Sequence, residues 1–468
     1  MSFICHISLR SITVAATTGM LHSVAQADPT VLLSTNSPLP GMSGTVDAIE
    51  SVRTSPSGAW ACLVTVANAN PDSDTAVVTS SQQMLREGDA ITPIFIVDKL
   101  LSYDVDDQGR VVASVTFSVA GATQLQTGIV VDGEIVAKTF DPATLSGPAG
   151  YLAGFGWIEG ISDGFFQCNM TALNSIVQPT GGRELASFTE SSGLFTMTGE
   201  LASGVTLQSG RFVDDIRPWR GSWSMSGLAP SVIAYLSDSG THLVSVINAS
   251  GEEVLPGDAI GSTGYVWGDL RDARLASTAS HSPVLVAMAA NGTSTGQIIA
   301  SDSTIFAEEG QTIGTSNLLV LSLGQTSVPR IDTNGSLFWW AATKDQTGNI
   351  ARGIIKNGTP ILMEGDPVQS IPVRWIPDAP DQFDINTDGT TLNAVVQLGF
   401  DFWAMVQTSI DTPCYPDCDG SSTLNIFDYI CFGNMYTNMD PYADCDSNGT
   451  LNVFDYICFG NLYAAGCP

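Results

Sequence analysis

The sequence predicts a mainly β protein, a propeller of about six to eight blades, followed by a small α-helical module at the C-terminus. Three observations point there. The chain carries 46 glycines but only 14% charged residues over 468 positions, a composition suited to many short strands joined by tight turns. Turn signals leading into apolar runs recur through residues 28–410, most of them 43 to 55 residues apart. The last 55 residues then change pattern and hold two nearly identical copies of one short unit, and such a repeat demands an architectural reading.

Residues 1–27 read as a secretory signal peptide. Arg10 gives the positive end, Ile12 to Val24 a modestly apolar stretch, and Ala25-Gln26-Ala27 the small residues before Asp28. No later run reaches 18 apolar residues, so no membrane span is expected. The mature chain is expected outside the cytoplasm, secreted or held at the cell surface. Its net charge of −30 argues against a nucleic-acid partner, because phosphate binding needs clustered Lys and Arg.

The body, 28–410, shows no long amphipathic helix. Short apolar runs instead follow glycine turns, as after Gly58, Gly109, Gly164, Gly240, Gly335 and Gly389. A second element recurs behind them: Gly88-Asp89, Gly257-Asp258, Gly310-Gln311 and Gly365-Asp366, each after a strand-like run. A four-stranded unit of about 50 residues, repeated, is the pattern of propeller blades, which protect their strand edges radially. A pair of β-sandwiches or a β-solenoid is the alternative. The run from Gly389 to Ile410 is short for a blade and would close the ring with an N-terminal strand near Thr30–Ser34. Trp339-Trp340 is expected to place one ring inside and one outside. These repeats resemble bacterial exported proteins with tandem GD-containing repeats, whose function is unassigned.

Little in the body reads as catalytic. Only His242 and His281 lie beyond the signal peptide and neither sits in a nucleophile or metal motif. The recurring Asp89, Asp258 and Asp366 fit turn caps better than catalysts. One constellation stands apart, Arg211-Phe-Val-Asp214-Asp215-Ile-Arg217-Pro-Trp219-Arg220-Gly-Ser-Trp223. Trp stacks on sugar faces and Arg clamps carboxylates, so Asp214 and Asp215 are the weak catalytic candidates of an acidic-glycan pocket. A loop held by ion pairs and Trp packing accounts for the same residues.

The C-terminal module, 417–468, follows a linker at 411–416. Its copies read DCDGSSTLNIFDYICFGNMY and DCDSNGTLNVFDYICFGNLY. Oxygen-bearing residues fall at positions 1, 3, 5, 7, 9 and 12 of a twelve-residue loop, the spacing that wraps a hard cation such as calcium. These are Asp417, Asp419, Ser421, Thr423, Asn425 and Asp428, then Asp444, Asp446, Asn448, Thr450, Asn452 and Asp455. Gly449 occupies position 6 of the second loop, where the backbone turns sharply, but Ser422 occupies it in the first. Two calcium sites are therefore expected, the first weaker. A short helix should follow each loop, with Phe427, Ile430, Cys431 and Asn434 along one face. Six cysteines (Cys414, Cys418, Cys431, Cys445, Cys458 and Cys467) read as three disulfides. Fifteen connectivities are open, and the symmetry of the copies favours a Cys414–Cys467 clasp. Cys62 and Cys168 read as buried thiols in preference to a fourth bridge.

Paired loop–helix units with Asp at position 12 and no entering helix resemble a dockerin module, across both copies. The resemblance implies calcium-dependent folding and docking on a cohesin-like or other surface protein through Ile426, Phe427, Val453 and Phe454. The competing role for these residues is the module's own small core. On this basis the chain is expected to be an exported, non-catalytic binding or scaffold protein, anchored in an extracellular or cell-surface assembly. The alternatives are a polysaccharide-active enzyme, glycosidase or lyase, on the same anchor, and a structural surface protein whose tail the module stiffens.

Overall fold

The computed structural model describes residues 29–39, 44–67, 69–70, 73–79, 83–121, 123–143, 150–162, 165–175, 178–191, 194–202, 206–207, 209–217, 223–226, 229–238, 240–248, 251–278, 281–314, 317–400, 402–410, 416–418, 424–445 and 450–465. Residues 1–27, expected to be a signal peptide, and most of the expected linker lie outside them.

Seven antiparallel sheets follow one another along the chain and form a seven-bladed propeller. Blades 1 and 2, at 46–86 and 95–138, are plain four-stranded meanders. Blade 3, at 142–202, has long strands, with a two-residue piece at Pro142–Ala143. In blades 4 to 7, at 212–254, 266–308, 312–363 and 367–409, the innermost strand is broken into two segments that pair with the same neighbour.

The Gly-Asp element joins one blade to the next. Asp89, Asp258 and Asp366 each accept a hydrogen bond from the backbone N–H three residues earlier, at 2.7 to 2.8 Å. Gln311 does the same through its amide oxygen at 3.0 Å, which explains how the amide replaces the acid. The preceding glycine has positive φ in every case, a conformation open to glycine at little cost. Its N–H reaches the next blade's first strand, Gly88 to the Val97 carbonyl at 2.8 Å and Gly365 to the Val373 carbonyl at 2.8 Å, and that strand answers back to the acid's carbonyl. At the 2–3 junction Phe140 takes the glycine's place, with φ +73, and Asp141 caps Lys138. These acids terminate strands, as their repetition suggested.

The ring is closed by strands from both ends of the propeller. Thr30–Ser34 pairs antiparallel with Phe402–Ser409, with Thr30 opposite Gln407 and Ser34 opposite Ala404. The closure read from the short final run is the one observed.

The cores lie between blades, so both faces of every sheet are covered. Trp339 packs against Val284, Val286 and Ile299 of blade 5, whereas Trp340 packs against Val373, Ile376 and Phe383 of blade 7. Both rings are buried, correcting the expectation that one would face solvent. Strand alternation still holds, but its two sides are two cores. Cys62 and Cys168 are free and buried, in blades 1 and 3.

The C-terminal module has two helices, α1 (Ile426–Thr437) and α2 (Val453–Ala465), with a short 3-10 turn, Pro441–Ala443, between them. Disulfides Cys418–Cys431 and Cys445–Cys458 each tie a loop to the helix it precedes, over a separation of 13 residues. Cys414 and Cys467, and hence the clasp, lie outside the described residues. No described helix is long and apolar enough to cross a membrane.

Candidate functional site

Each module helix begins with the same local device. Asn425 Oδ1 accepts from the Phe427 N–H at 2.8 Å, and Asp428 Oδ2 accepts from the Asn425 N–H at 2.7 Å. Asn452, Phe454 and Asp455 repeat both bonds at the same distances. The N-x-x-D spacing thus forms a capping box, which fixes loop positions 9 and 12 at the helix entrance. Asn452 Nδ2 also donates to the Thr450 carbonyl at 2.8 Å, so positions 7 and 9 of the second loop face each other.

Asp428 and Asp455 are fully buried, and residues 411–468 contain no Lys, Arg or His. Two buried carboxylates therefore sit in a segment with no basic side chain of its own, where burying a charge needs compensation. The donor set is oxygen throughout, which suits a hard cation rather than a soft one. Asp417 and Asp444, position 1 of each loop, are half-buried. Asp419, Ser421, Thr423, Asp446 and Asn448 lie outside the described residues.

The helices pack on one another with near-reciprocal contacts. Phe432 stacks on Phe459 at 4.2 Å. Tyr429 meets Phe459 edge-on at 5.2 Å, and Tyr456 meets Phe432 at 5.1 Å. Tyr429 leans on Tyr463 and Tyr436 on Tyr456. A shift of 27 residues exchanges the members of each pair, so the halves are related by a local two-fold. Phe432, Phe459 and Ala443 are the buried core, with Tyr429, Tyr436 and Tyr463 packed against it.

Phe427 and Phe454 do not join that core. Ile426, Phe427, Val453 and Phe454 are 65, 62, 64 and 63% exposed, and Ile430 and Ile457 are more than half exposed. The face expected of Phe427, Ile430, Cys431 and Asn434 is thus turned largely to solvent, not into the core. Cys431 is drawn to Cys418, the tyrosine–phenylalanine stack fills the core, and Phe427 and Ile430 are left outside. Each helix shows solvent an Ile/Val-Phe pair and an Ile one turn later.

In blade 4, Asp214 and Asp215 share the strand Phe212–Ile216 and serve different partners. Asp214 accepts from Ser237 Oγ at 2.9 Å and lies 3.1 Å from His242 Nδ1. Asp215 pairs with Arg183 of blade 3 and accepts the Ile216 N–H at 2.9 Å. The structure does not bring the two carboxylates together. Arg217 is buried and donates to the carbonyls of Arg271 and Ala273 in blade 5. Trp219 and Arg220 lie outside the described residues.

The hub holds a charged cluster that motif reasoning missed. Arg330 Nε donates to Asp384 Oδ1 at 2.7 Å, and Arg53 Nη2 lies 3.1 Å from Asp381 Oδ1. Asp384 Oδ2 also accepts the Thr54 N–H at 2.9 Å. Asp104, buried on blade 2, is pushed up to about 7 by its burial, with Arg53 opposing and Asp384 and Asp381 adding to the rise. A sequence signal existed. Arg53, Asp104, Arg330 and Asp384 each stand five residues before a turn glycine (Gly58, Gly109, Gly335 and Gly389). Through blades 6, 7, 1 and 2 that position therefore reads base, acid, base, acid. A cavity of about 230 Å³ adjoins the cluster, lined by Glu50, Ser51, Tyr103, Trp157 and Asp381 among others.

No family model matches the chain, and no curated protein matches it. Solved structures give slight likenesses. An alpha-L-arabinanase from Penicillium chrysogenum is 9% identical with a TM-score of 0.33, over 72% of this chain and 100% of that one. The β-propeller domain of the Trilobed protease from Pyrococcus furiosus is 9% identical with a TM-score of 0.32, over 69% and 96%. The polysaccharide lyase Uly1 is 8% identical with a TM-score of 0.33, over 85% and 94%. Likeness at that level carries no argument, and the fold stands on the strand pairing itself.

Proposed function

We propose that this is an exported, non-catalytic binding or scaffold protein, whose propeller is held in an extracellular or cell-surface assembly by a calcium-dependent, dockerin-like C-terminal module. One observation carries the reading: two equivalent, exposed apolar turns, Ile426-Phe427 and Val453-Phe454, that stand outside the module's described core. A small module that leaves such side chains in water has a partner surface to cover them. Their two-fold relation offers a cohesin-like partner two equivalent ways to dock. Calcium at Asp417, Asp428 and their loop neighbours, and at Asp444, Asp455 and theirs, would supply the positive charge this segment lacks and hold each loop against its helix. Two disulfides in so short a segment belong to an oxidising compartment.

A polysaccharide-active body would need two carboxylates converging on one bond. Asp214 and Asp215 are instead spent on His242, Ser237 and Arg183, which favours the non-catalytic reading.

The test uses the full oxidised chain as bait against the source's secreted and envelope fractions, with calcium and then with chelator. A partner held only with calcium, and lost from the Phe427→Ala/Phe454→Ala double variant, is the expected result. Either single variant should keep it, because the other face remains. Capture indifferent to calcium, or unchanged in the double variant, would refute the proposal.

A further inference from the structure

The cavity of about 230 Å³ beside the charged cluster lies where blades 1, 2, 3 and 7 meet. Its walls come from Val46–Thr54 of blade 1, Phe95–Val105 of blade 2, Gly150–Ser162 of blade 3 and the loop between the two inner segments of blade 7. Leu100, Leu101, Trp157 and Pro380 make the lining mainly apolar. Leu101 is 39% exposed, and Leu100 and Trp157 are half-buried, so the neighbouring blades leave part of this surface uncovered.

Two carboxylates line the cavity, Glu50 and Asp381, and among the described residues no Lys, Arg or His does. The Asp381 charge is already met by Arg53 at 3.1 Å and Arg330 at 3.5 Å. Glu50 accepts the Thr65 hydroxyl at 3.1 Å and, among the described residues, enters no ion pair. Glu50 is exposed whereas Ser51, Ser102 and Tyr103 are buried, which puts Glu50 at the rim. The other polar groups serve the fold. Tyr103 Oη bonds Ser51 Oγ at 3.0 Å and accepts the Leu63 N–H at 3.1 Å. Ser102 Oγ accepts the Ile158 N–H at 3.1 Å, and Gln382 Nε2 donates to the Glu50 carbonyl at 2.6 Å.

This lining selects one ligand chemistry. An anion would meet two carboxylates and no base. A sugar would need several uncommitted hydrogen-bonding groups, and the hydroxyls here are taken. Apolar walls with one unpaired carboxylate at the rim match a single positive charge on a small apolar body, and the Trp157 ring adds its own attraction for a cation. A cavity of roughly 150 Å³ holds benzene, so this one has room for about nine non-hydrogen atoms, the size of phenethylammonium. We propose that the hub cavity binds a small organic monocation, a primary ammonium on an apolar body, with Glu50 as its counter-charge. The site belongs to the propeller and is independent of the module's docking.

The full chain is titrated calorimetrically, with calcium present, against phenethylammonium, phenethyl alcohol and phenylacetate. The ammonium should bind about fivefold tighter than the alcohol, and phenylacetate should not bind. Glu50→Gln should weaken the ammonium by about fivefold and leave the alcohol unchanged. Leu101→Trp, which fills the cavity from a partly exposed position, should weaken both. Glu134→Gln removes an exposed acid from a blade 2 hairpin and should change neither, which separates the site from the general pull of an acidic protein. The Phe427→Ala/Phe454→Ala variant should bind the ammonium as the wild type does, whatever becomes of its docking. Absence of ammonium binding, equal affinity for ammonium and alcohol, or an unchanged ammonium affinity in Glu50→Gln would overturn the proposal. Should Leu101→Trp fail to fold, Glu50→Gln and the three-ligand comparison decide it.

Discussion

Asp384→Asn removes one charge from the hub and almost no volume. In the wild type the Asp384 carboxylate faces Arg330 at 2.7 Å and Arg53 at 3.8 Å, and every side chain involved is at most 15% exposed. After the change Asp381 is the carboxylate that both arginines still reach, at 3.1 and 3.5 Å. Removing one partner from a buried ion pair costs about 3–5 kcal/mol, because the remaining charge stays desolvated. A propeller of roughly 380 residues unfolds with an entropy of about 0.8 kcal/mol/K, at ~2.1 cal/mol/K per residue. The expected fall in Tm is therefore about 4–6 °C, read by calorimetry. Arg330→Met should cost a similar amount, and the double variant should cost clearly less than the sum, since the two changes remove one interaction. Asp269→Asn is the control: its pair with Arg271 is exposed, and solvent screens such a pair so that its loss should hardly move Tm. A fall of under 1 °C in Asp384→Asn, or strict additivity with Arg330→Met, would refute the view that this cluster ties blades 6, 7 and 1 together.

Further outcomes follow from particular residues. Asp104 has a folded pKa raised from 3.8 to about 7, so between those values the folded chain holds a proton that the unfolded chain has released. Its contribution is most favourable below pH 4 and is lost as pH rises to about 7, and Asp104→Asn should gain on the wild type over that window, by up to the order of 4 kcal/mol. Tm differences that are flat from pH 4 to 8 would contradict this. Phe140→Gly should raise Tm by about 1 °C, since φ +73 strains a side-chain-bearing residue by about 1–2 kcal/mol and part of the gain is lost with the ring's contacts. Each module disulfide closes a short loop worth about 3 kcal/mol. Reductant should thus open the module to protease while leaving the propeller's transition in place, because Cys62 and Cys168 are free thiols. Loss of both together would contradict that division.

The propeller was legible because its turns are chemically explicit. A glycine at positive φ followed by an acid is a strand terminator, and its recurrence gave the blade period. The exception at Phe140-Asp141 shows that the cap, rather than the glycine, is the part kept at that junction. Strand-to-core assignment was less legible. Trp339 and Trp340 look like an inside–outside pair only if a sheet has a wet face, and between two blades it has none. The hub cluster went unread because its members lie far apart in sequence, and only their common offset from the turn glycines links them. In the module, symmetry set Cys414 and Cys467 apart from the four repeated cysteines but did not choose how those four pair, which the structure shows as Cys418–Cys431 and Cys445–Cys458.

Both parts of the chain are built from copies of themselves, and the copies are used in opposite ways. Seven sheets arranged in a ring bury both faces of each sheet against other copies, so repetition there uses up apolar surface. Two loop–helix units facing each other can bury only one face each. Phe432 and Phe459 meet across the local two-fold, and whatever lies on the far side of each helix is repeated outward. Ile426-Phe427 and Val453-Phe454 are that repeated remainder. The exposed apolar turns therefore follow from the two-copy architecture combined with a sequence that puts Phe, not Lys or Glu, at those positions. In a segment, 411–468, with eight acidic residues and no basic ones, solubility alone would have been served by another charge there. Two large apolar side chains, duplicated in register, are what a docking face requires.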